Sequence, residues 1–218
     1  MAKIVGAAVA LVVALAVTAA AASEPGVRLL VLGDSLTAGY GLPQQQSFPA
    51  RLEEALRAAG HAVTVINAGV SGDTTAGALA RLDWTLGGLP DGTPEAAVVE
   101  LGANDALRGM DPRSTFNNLS TILARFQERK IAVLLAGMLA PPNLGSEYAK
   151  VFNAIYPRLA EEHDVLLYPF FLEGVAGERR FNQSDGIHPN AEGINVIVNR
   201  VLPSVEALLR DARQDEQP

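Results

Sequence analysis

Apolar and polar positions along the chain fall into blocks of two kinds. Val27 to Leu32 is an almost unbroken apolar run with the composition of a buried strand. Phe48, Leu52, Ala55, Leu56 and Ala59 then recur at helical spacing, and the pattern stops at Gly60. The alternation repeats. Ala62 to Asn67 is a second β-rich run, followed by the loop Ala68 to Thr75, whose threonines can cap a helix carrying Leu79, Leu82 and Leu86. Ala96 to Leu101 gives a third strand, and Asp111-Pro112 opens a helix with Phe116, Leu119, Ile122, Leu123 and Phe126 on one face. Ile131 to Ala136 is the fourth strand, and Tyr148, Val151, Phe152, Ile155, Tyr156 and Leu159 form the clearest amphipathic stripe. Val165 to Tyr168 is the fifth. The last helical region starts near Pro189, and Pro203 inside it predicts a kink or a break, with a frayed polar tail from Asp211.

Nearly continuous apolar strands alternating with helices imply a parallel sheet covered on both faces. The expected fold class is α/β: a three-layer α/β/α sandwich with a five-stranded, doubly wound sheet in the flavodoxin-like order 2-1-3-4-5. Ligands of such sheets bind outside the carboxyl ends of the strands, where the strand order reverses. That switch point lies between the first and third strands, so the loops after Leu32, Asn67 and Leu101 carry the chemistry.

The amino terminus changes the compartment. Lys3 precedes an apolar run from Ile4 to Val17 and then Ala20-Ala21-Ala22-Ser23, the layout of a secretory signal peptide cut after Ala22. The rival reading is an uncleaved anchor, since Ile4 to Ala22 is nearly long enough to span a bilayer. Residues 1–22 are therefore expected to be a leader and 23–218 a single domain, exported to the periplasm or secreted. The formal charge of −7 becomes −8 once Lys3 leaves, which argues against nucleic acid or anionic membrane surfaces as partners. The chain has no cysteine, so thiol catalysis and thiolate metal sites are excluded.

The candidate chemistry sits in the switch-point loops. Gly33-Asp34-Ser35-Leu36 puts a serine at the end of the first strand, where the bland reading is a turn former or helix cap. A serine that attacks a carbonyl needs donors for the oxygen that becomes negative. A glycine N–H at Gly72 and the amide of Asn104, in Gly102-Ala103-Asn104-Asp105, are suitable; otherwise Gly72 permits a tight turn and Asn104 caps a segment. The serine also needs a base oriented by a carboxylate. Asp185-Gly186-Ile187-His188 offers both in one turn, whereas His61 and His163 fall on the side of the sheet away from the crevice.

In these four blocks, in this order, the chain resembles the SGNH (GDSL-type) hydrolases, from about Val27 to about Leu209. It looks most like the exported bacterial members that act as thioesterases, lysophospholipases and arylesterases. The resemblance implies Ser35 as nucleophile, His188 as general base and acid, and Asp185 as its orienting carboxylate. It also implies an oxyanion hole of the Ser35 and Gly72 N–H groups with the Asn104 amide, Asp34 in a structural role, and no metal or cofactor. Ala103 stands where relatives often have glycine. Competing motifs fail: Ser71 lacks the second glycine of a G-x-S-x-G elbow, Asp34 lacks a second aspartate two residues on, and no phosphate-binding glycine loop is present. The expected partner is a small ester or thioester, with no nucleic acid and no stable membrane insertion after leader cleavage. An acyltransferase, or a carbohydrate- or lipid-binding module on the same fold, remains the alternative. Apolar stretches at Leu107-Arg108-Gly109-Met110 and Met138-Leu139-Ala140-Pro141-Pro142 are candidates for the acyl site, and the sequence carries no signal for an oligomeric state.

Overall fold

The computed structural model describes residues 26–89 and 92–214; the expected leader, Met1 to Ala22, lies outside them. Five strands form one parallel sheet: β1 (Val27–Gly33), β2 (Val63–Gly69), β3 (Ala96–Glu100), β4 (Ala132–Ala136) and β5 (Leu166–Tyr168), in the order 2-1-3-4-5. β1, β3 and β4 are buried almost throughout, because helices cover both faces. β2 lies at an edge, and its burial is patchy.

One face carries α2 (Phe48–Ala58) and α8 (Ala191–Gln214), the other α3 (Thr75–Gly87), α5 (Pro112–Glu128) and α7 (Ile155–His163). Leu52 and Leu56 of α2, and Ile197, Val201 and Val205 of α8, are fully buried, each contributing about 1.5–3 kcal/mol of hydrophobic stabilisation. The caps expected for two helices form: Thr74 accepts from the Gly77 N–H and Asp111 from the Arg113 N–H.

Prolines act differently at two places. The stripe from Tyr148 to Leu159 is divided between α6 (Ser146–Asn153) and α7, because Pro157 has no N–H for the Asn153 carbonyl and its ring crowds that group. Pro203, by contrast, does not break α8, which runs through it to Gln214, past the start of the tail expected to fray. Its buried stripe continues on both sides of the proline, from Ile194 to Ala212, and that packing outweighs a local cost of about 3 kcal/mol.

Candidate active site

β1 ends at Gly33, which pairs with Gly69 on one side and Glu100 on the other. A Cβ at Gly33 would collide with the Thr37 hydroxyl and stand 2.7 Å from the Glu100 carbonyl oxygen, so only glycine allows the turn made here. The next residue, Asp34, is the N-cap of the short helix α1 (Ser35–Ala38): its Oδ1 accepts from the Leu36 N–H at 3.0 Å. Because Asp34 does the capping, the Ser35 hydroxyl is left for another partner. Ser35 Oγ lies 3.0 Å from His188 Nε2.

His188 is held by its own turn. Asp185 Oδ1 accepts from the N–H groups of Ile187 at 2.9 Å and His188 at 3.0 Å, while Oδ2 stands 2.7 Å from His188 Nδ1. With the Nδ1 proton directed to Asp185, Nε2 is the acceptor for the Ser35 hydroxyl. These bonds, above all that from the His188 N–H, hold the Asp185 carboxyl down at about 2. It is therefore an anion at any pH at which the protein would work.

The third block folds into α4 (Ala103–Leu107). Its special backbone falls on Gly102, at φ 111°, and Ala103 takes an ordinary helical position, so the alanine is accommodated without strain. Asn104 faces the cavity, and its Nδ2 donates one hydrogen to Asp34 Oδ2 at 3.0 Å. An amide nitrogen has two hydrogens, so one remains for a ligand. Gly72 is on the neighbouring β2–α3 loop, exposed and at φ 84°, with its carbonyl accepting from Arg108 Nη2 at 2.8 Å. It does not line the cavity that Ser35, Asn104 and His188 share.

Two supports were not legible as such in the sequence. Asp105 is buried and takes the Thr75 N–H at 2.9 Å, the Thr75 hydroxyl at 2.5 Å and the Thr115 hydroxyl at 3.2 Å, which pins α4 to α3 and α5. Arg81 pairs with Asp73 at 2.6 Å and donates to the carbonyls of Gly33 and Ala68, tying the first two loops together. The aspartate's place beside Asn104 hinted at a role; nothing marked the arginine.

Burial shapes the electrostatics beneath the serine. Asp34 is fully buried, which raises its carboxyl to about 6 against the lowering effect of its two hydrogen bonds. Glu100, at the end of β3, is also fully buried; the Asp34 N–H eases its charge, but among the described residues its carboxyl oxygens meet no partner at full hydrogen-bond geometry. Burial, and then the charge of Asp34, push it well above the usual carboxylate range.

Over the serine opens a cavity of about 360 Å³. Leu107, Met138, Leu139, Pro141 and Pro142 line it, in agreement with the apolar stretches singled out in the sequence; Arg108, Gly109, Met110 and Ala140 do not. Leu172, Ala176 and Ile187 complete the wall from the segment after β5, whose contribution had no signal in the pattern. Elsewhere His61 pairs with Glu206, and His163 Nε2 lies 2.8 Å from the Ser120 hydroxyl. This second serine–histidine pair sits on the faces of α5 and α7, away from the cavity, and the amide beside it, that of Gln127, is engaged with the carbonyl and ring of His163. Among the described residues no group of acidic or histidine side chains is placed to hold a metal ion, and no helix is long and apolar enough to cross a membrane.

Comparison with known proteins decides the family. Residues 31–195 match the GDSL-like lipase/acylhydrolase family. The chain belongs to that family. An arylesterase of Vibrio mimicus is 45% identical over 172 residues, 79% of this chain and 84% of the relative. The thioesterase 1/protease 1/lysophospholipase L1 of Escherichia coli K12 is 39% identical over 181 residues, 83% and 84% of the two chains. Among solved structures, the SGNH-hydrolase family esterase AlinE4 superposes with a TM-score of 0.72 at 50% identity, covering 85% of this chain and 98% of AlinE4. The protein is thus a carboxylic ester hydrolase of the SGNH type, built on the five-stranded sheet that its sequence pattern implied.

Proposed function

We propose that the protein hydrolyses esters and thioesters with an apolar acyl group through an acyl-serine intermediate, using Ser35, His188 and Asp185. The observation that carries this reading is the continuous relay from Asp185 Oδ2 through the imidazole to Ser35 Oγ, with steps of 2.7 and 3.0 Å, at the floor of an apolar cavity. Ser35 Oγ attacks the carbonyl carbon as its proton passes to His188 Nε2, and the ionised Asp185 stabilises the resulting imidazolium. The negative oxygen is met by the Ser35 N–H, the free hydrogen of Asn104 Nδ2 and the Gly72 N–H. Collapse expels the alcohol or thiol with the proton from Nε2. Water, deprotonated by the same nitrogen, then releases the acid and restores Ser35.

The acyl group is assigned to the space between Leu107, Met138, Leu139 and Leu172. Aryl esters, lysophospholipids and acyl thioesters all fit this description, and the arylesterase and thioesterase/lysophospholipase relatives support that range. The leader pattern supports an exported protein whose 23–218 portion is one hydrolase domain. A panel varying acyl length against aryl, lysophospholipid and thioester leaving groups, with and without a competing alcohol, tests the reading. Free acid is the expected product in every productive case. Transfer to the alcohol in preference to water would make the protein an acyltransferase, and stable binding without turnover would make it a binding module.

A further inference from the structure

Tyr40 follows α1, and its N–H donates to the Ser35 carbonyl at 3.2 Å, which fixes it to the nucleophile turn. Its ring lies against that of His188, with centroids 4.4 Å apart and planes inclined by 36°. Tyr40 is 52% exposed, far more than a residue placed there for core packing. The contact is held from behind by Gln183. Gln183 Nε2 donates to the Tyr40 carbonyl at 2.7 Å and to the Pro189 carbonyl at 3.0 Å, while the Gln183 N–H donates to the His188 carbonyl at 2.7 Å. One residue therefore clamps the serine loop to the histidine loop. At Gly41, with φ 72°, an added Cβ would collide with Gln183 Oε1, so the glycine makes room for the clamp.

We propose that Tyr40 is a positioning residue for His188: its ring stabilises the imidazolium formed when Ser35 loses its proton, and Gln183 holds the ring in place. This inference rests on His188 being the base. A cation within about 6 Å of an aromatic centroid is attracted by the negative face of the ring, and at an exposed site the effect is about 2- to 5-fold in an equilibrium or rate. Removing the ring therefore bears on the protonation of the imidazole as well as on the rate. The titratable groups that face His188 are Asp185 on its own turn, and Asp34 and Tyr40 on the serine loop. Asp34 titrates too, at about 6, so the imidazole itself must be observed.

The chain has three histidines, so proton NMR of their Cε1–H signals gives three resonances, and His188→Gln identifies the relevant one. Tyr40→Leu is expected to lower the His188 midpoint by about 0.4–0.7 pH unit and kcat/KM by about 2- to 5-fold on two esters that share an acyl group but differ in leaving group. Tyr40→Phe, which keeps the ring, is expected to leave both unchanged. An unmoved His188 midpoint in the leucine variant overturns the proposal. So does a loss confined to one leaving group, which would mean that the ring touches substrate. Should the leucine variant fail to fold, Gln183→Leu loosens the clamp without altering either ring, and its midpoint must fall in the same direction. Failure of the underlying reading is distinct: His188→Ala would then retain hydrolysis, whatever Tyr40 does.

Discussion

Replacing Asn104 by alanine removes a donor with two tasks that can be measured apart. One hydrogen of Nδ2 goes to Asp34 Oδ2 at 3.0 Å, which leaves the other for a ligand in the cavity that Asn104 lines. For catalysis, loss of one donor to a developing oxyanion costs about 10²–10³ in kcat, or about 2.7–4 kcal/mol. KM should stay nearly constant, because the donor matters most once the oxygen is negative. For stability, a hydrogen bond to a buried carboxylate is worth about 1.5–3 kcal/mol while Asp34 is ionised, and about 0.5–1.5 kcal/mol once it is protonated. Asp34 titrates at about 6, and the Asn104 bond is one of the interactions holding it that low. In the alanine variant the carboxyl keeps its proton to higher pH, so the stability loss is nearly complete at pH 8 and fades as pH falls through about 6. Urea unfolding at pH 5 and pH 8, beside kcat and KM on an aryl ester, separates the two effects. Equal destabilisation at both pH values would show that Asn104 does not serve Asp34. Unchanged kcat with raised KM would place the oxyanion donors elsewhere.

Glu100→Gln tests the buried acid. Its folded carboxyl is held well above 4.5, so between pH 4.5 and that raised value the folded state keeps a proton that the unfolded chain has lost, and stability falls by about 1.4 kcal/mol per pH unit. Glutamine has no such dependence; its Tm relative to wild type should climb as pH rises above 4.5, and parallel Tm curves would refute the assignment. Ala176→Phe fills one wall of the cavity and is expected to lower kcat/KM for long-chain acyl esters at least about tenfold relative to acetyl esters, measured as a ratio so that general damage cancels. If the ratio holds, the acyl chain lies elsewhere. Intact-mass measurement of exported protein is expected to give a chain beginning near Ser23; a membrane-bound product retaining Met1 to Ala22 would favour the anchor.

The strands were legible because each is a short apolar run flanked by turn residues, and parallel burial on both faces leaves such runs nearly unbroken. The helix ends were legible where a side chain caps them, as at Thr74 and Asp111. Proline was harder to read: Pro157 divides a stripe that looks continuous, while Pro203 is absorbed, and the difference lies in tertiary packing that no local pattern encodes. At the site, three of the four blocks placed a side chain on the cavity: Ser35 and Asn104 follow strand ends, and His188 comes from the turn before α8. Gly72 stays outside the lining, exposed on its loop and tied to Arg108. Long-range supports stayed hidden. Arg81 and Gln183 act through carbonyls of distant loops, and an arginine or glutamine in sequence carries no sign of which carbonyl it will find. Glu100 looked like one more strand residue; only its complete burial beside Asp34 reveals that its carboxyl holds its proton more tightly than usual.

The central claim is that Ser35 is activated by His188, and a phosphonate or sulfonyl fluoride reagent tests it most directly. Only a hydroxyl with a base at hydrogen-bond distance reacts readily at neutral pH. Peptide mapping after treatment is expected to find a single adduct on Ser35, with activity lost in step with labelling, and no adduct at all in His188→Ala. Ser120, also beside an imidazole, should stay unlabelled, since the second ring nitrogen of His163 faces the Gln127 amide oxygen at 3.1 Å rather than a carboxylate. An adduct on Ser71 or Ser120, or undiminished labelling of Ser35 without His188, would contradict the claim.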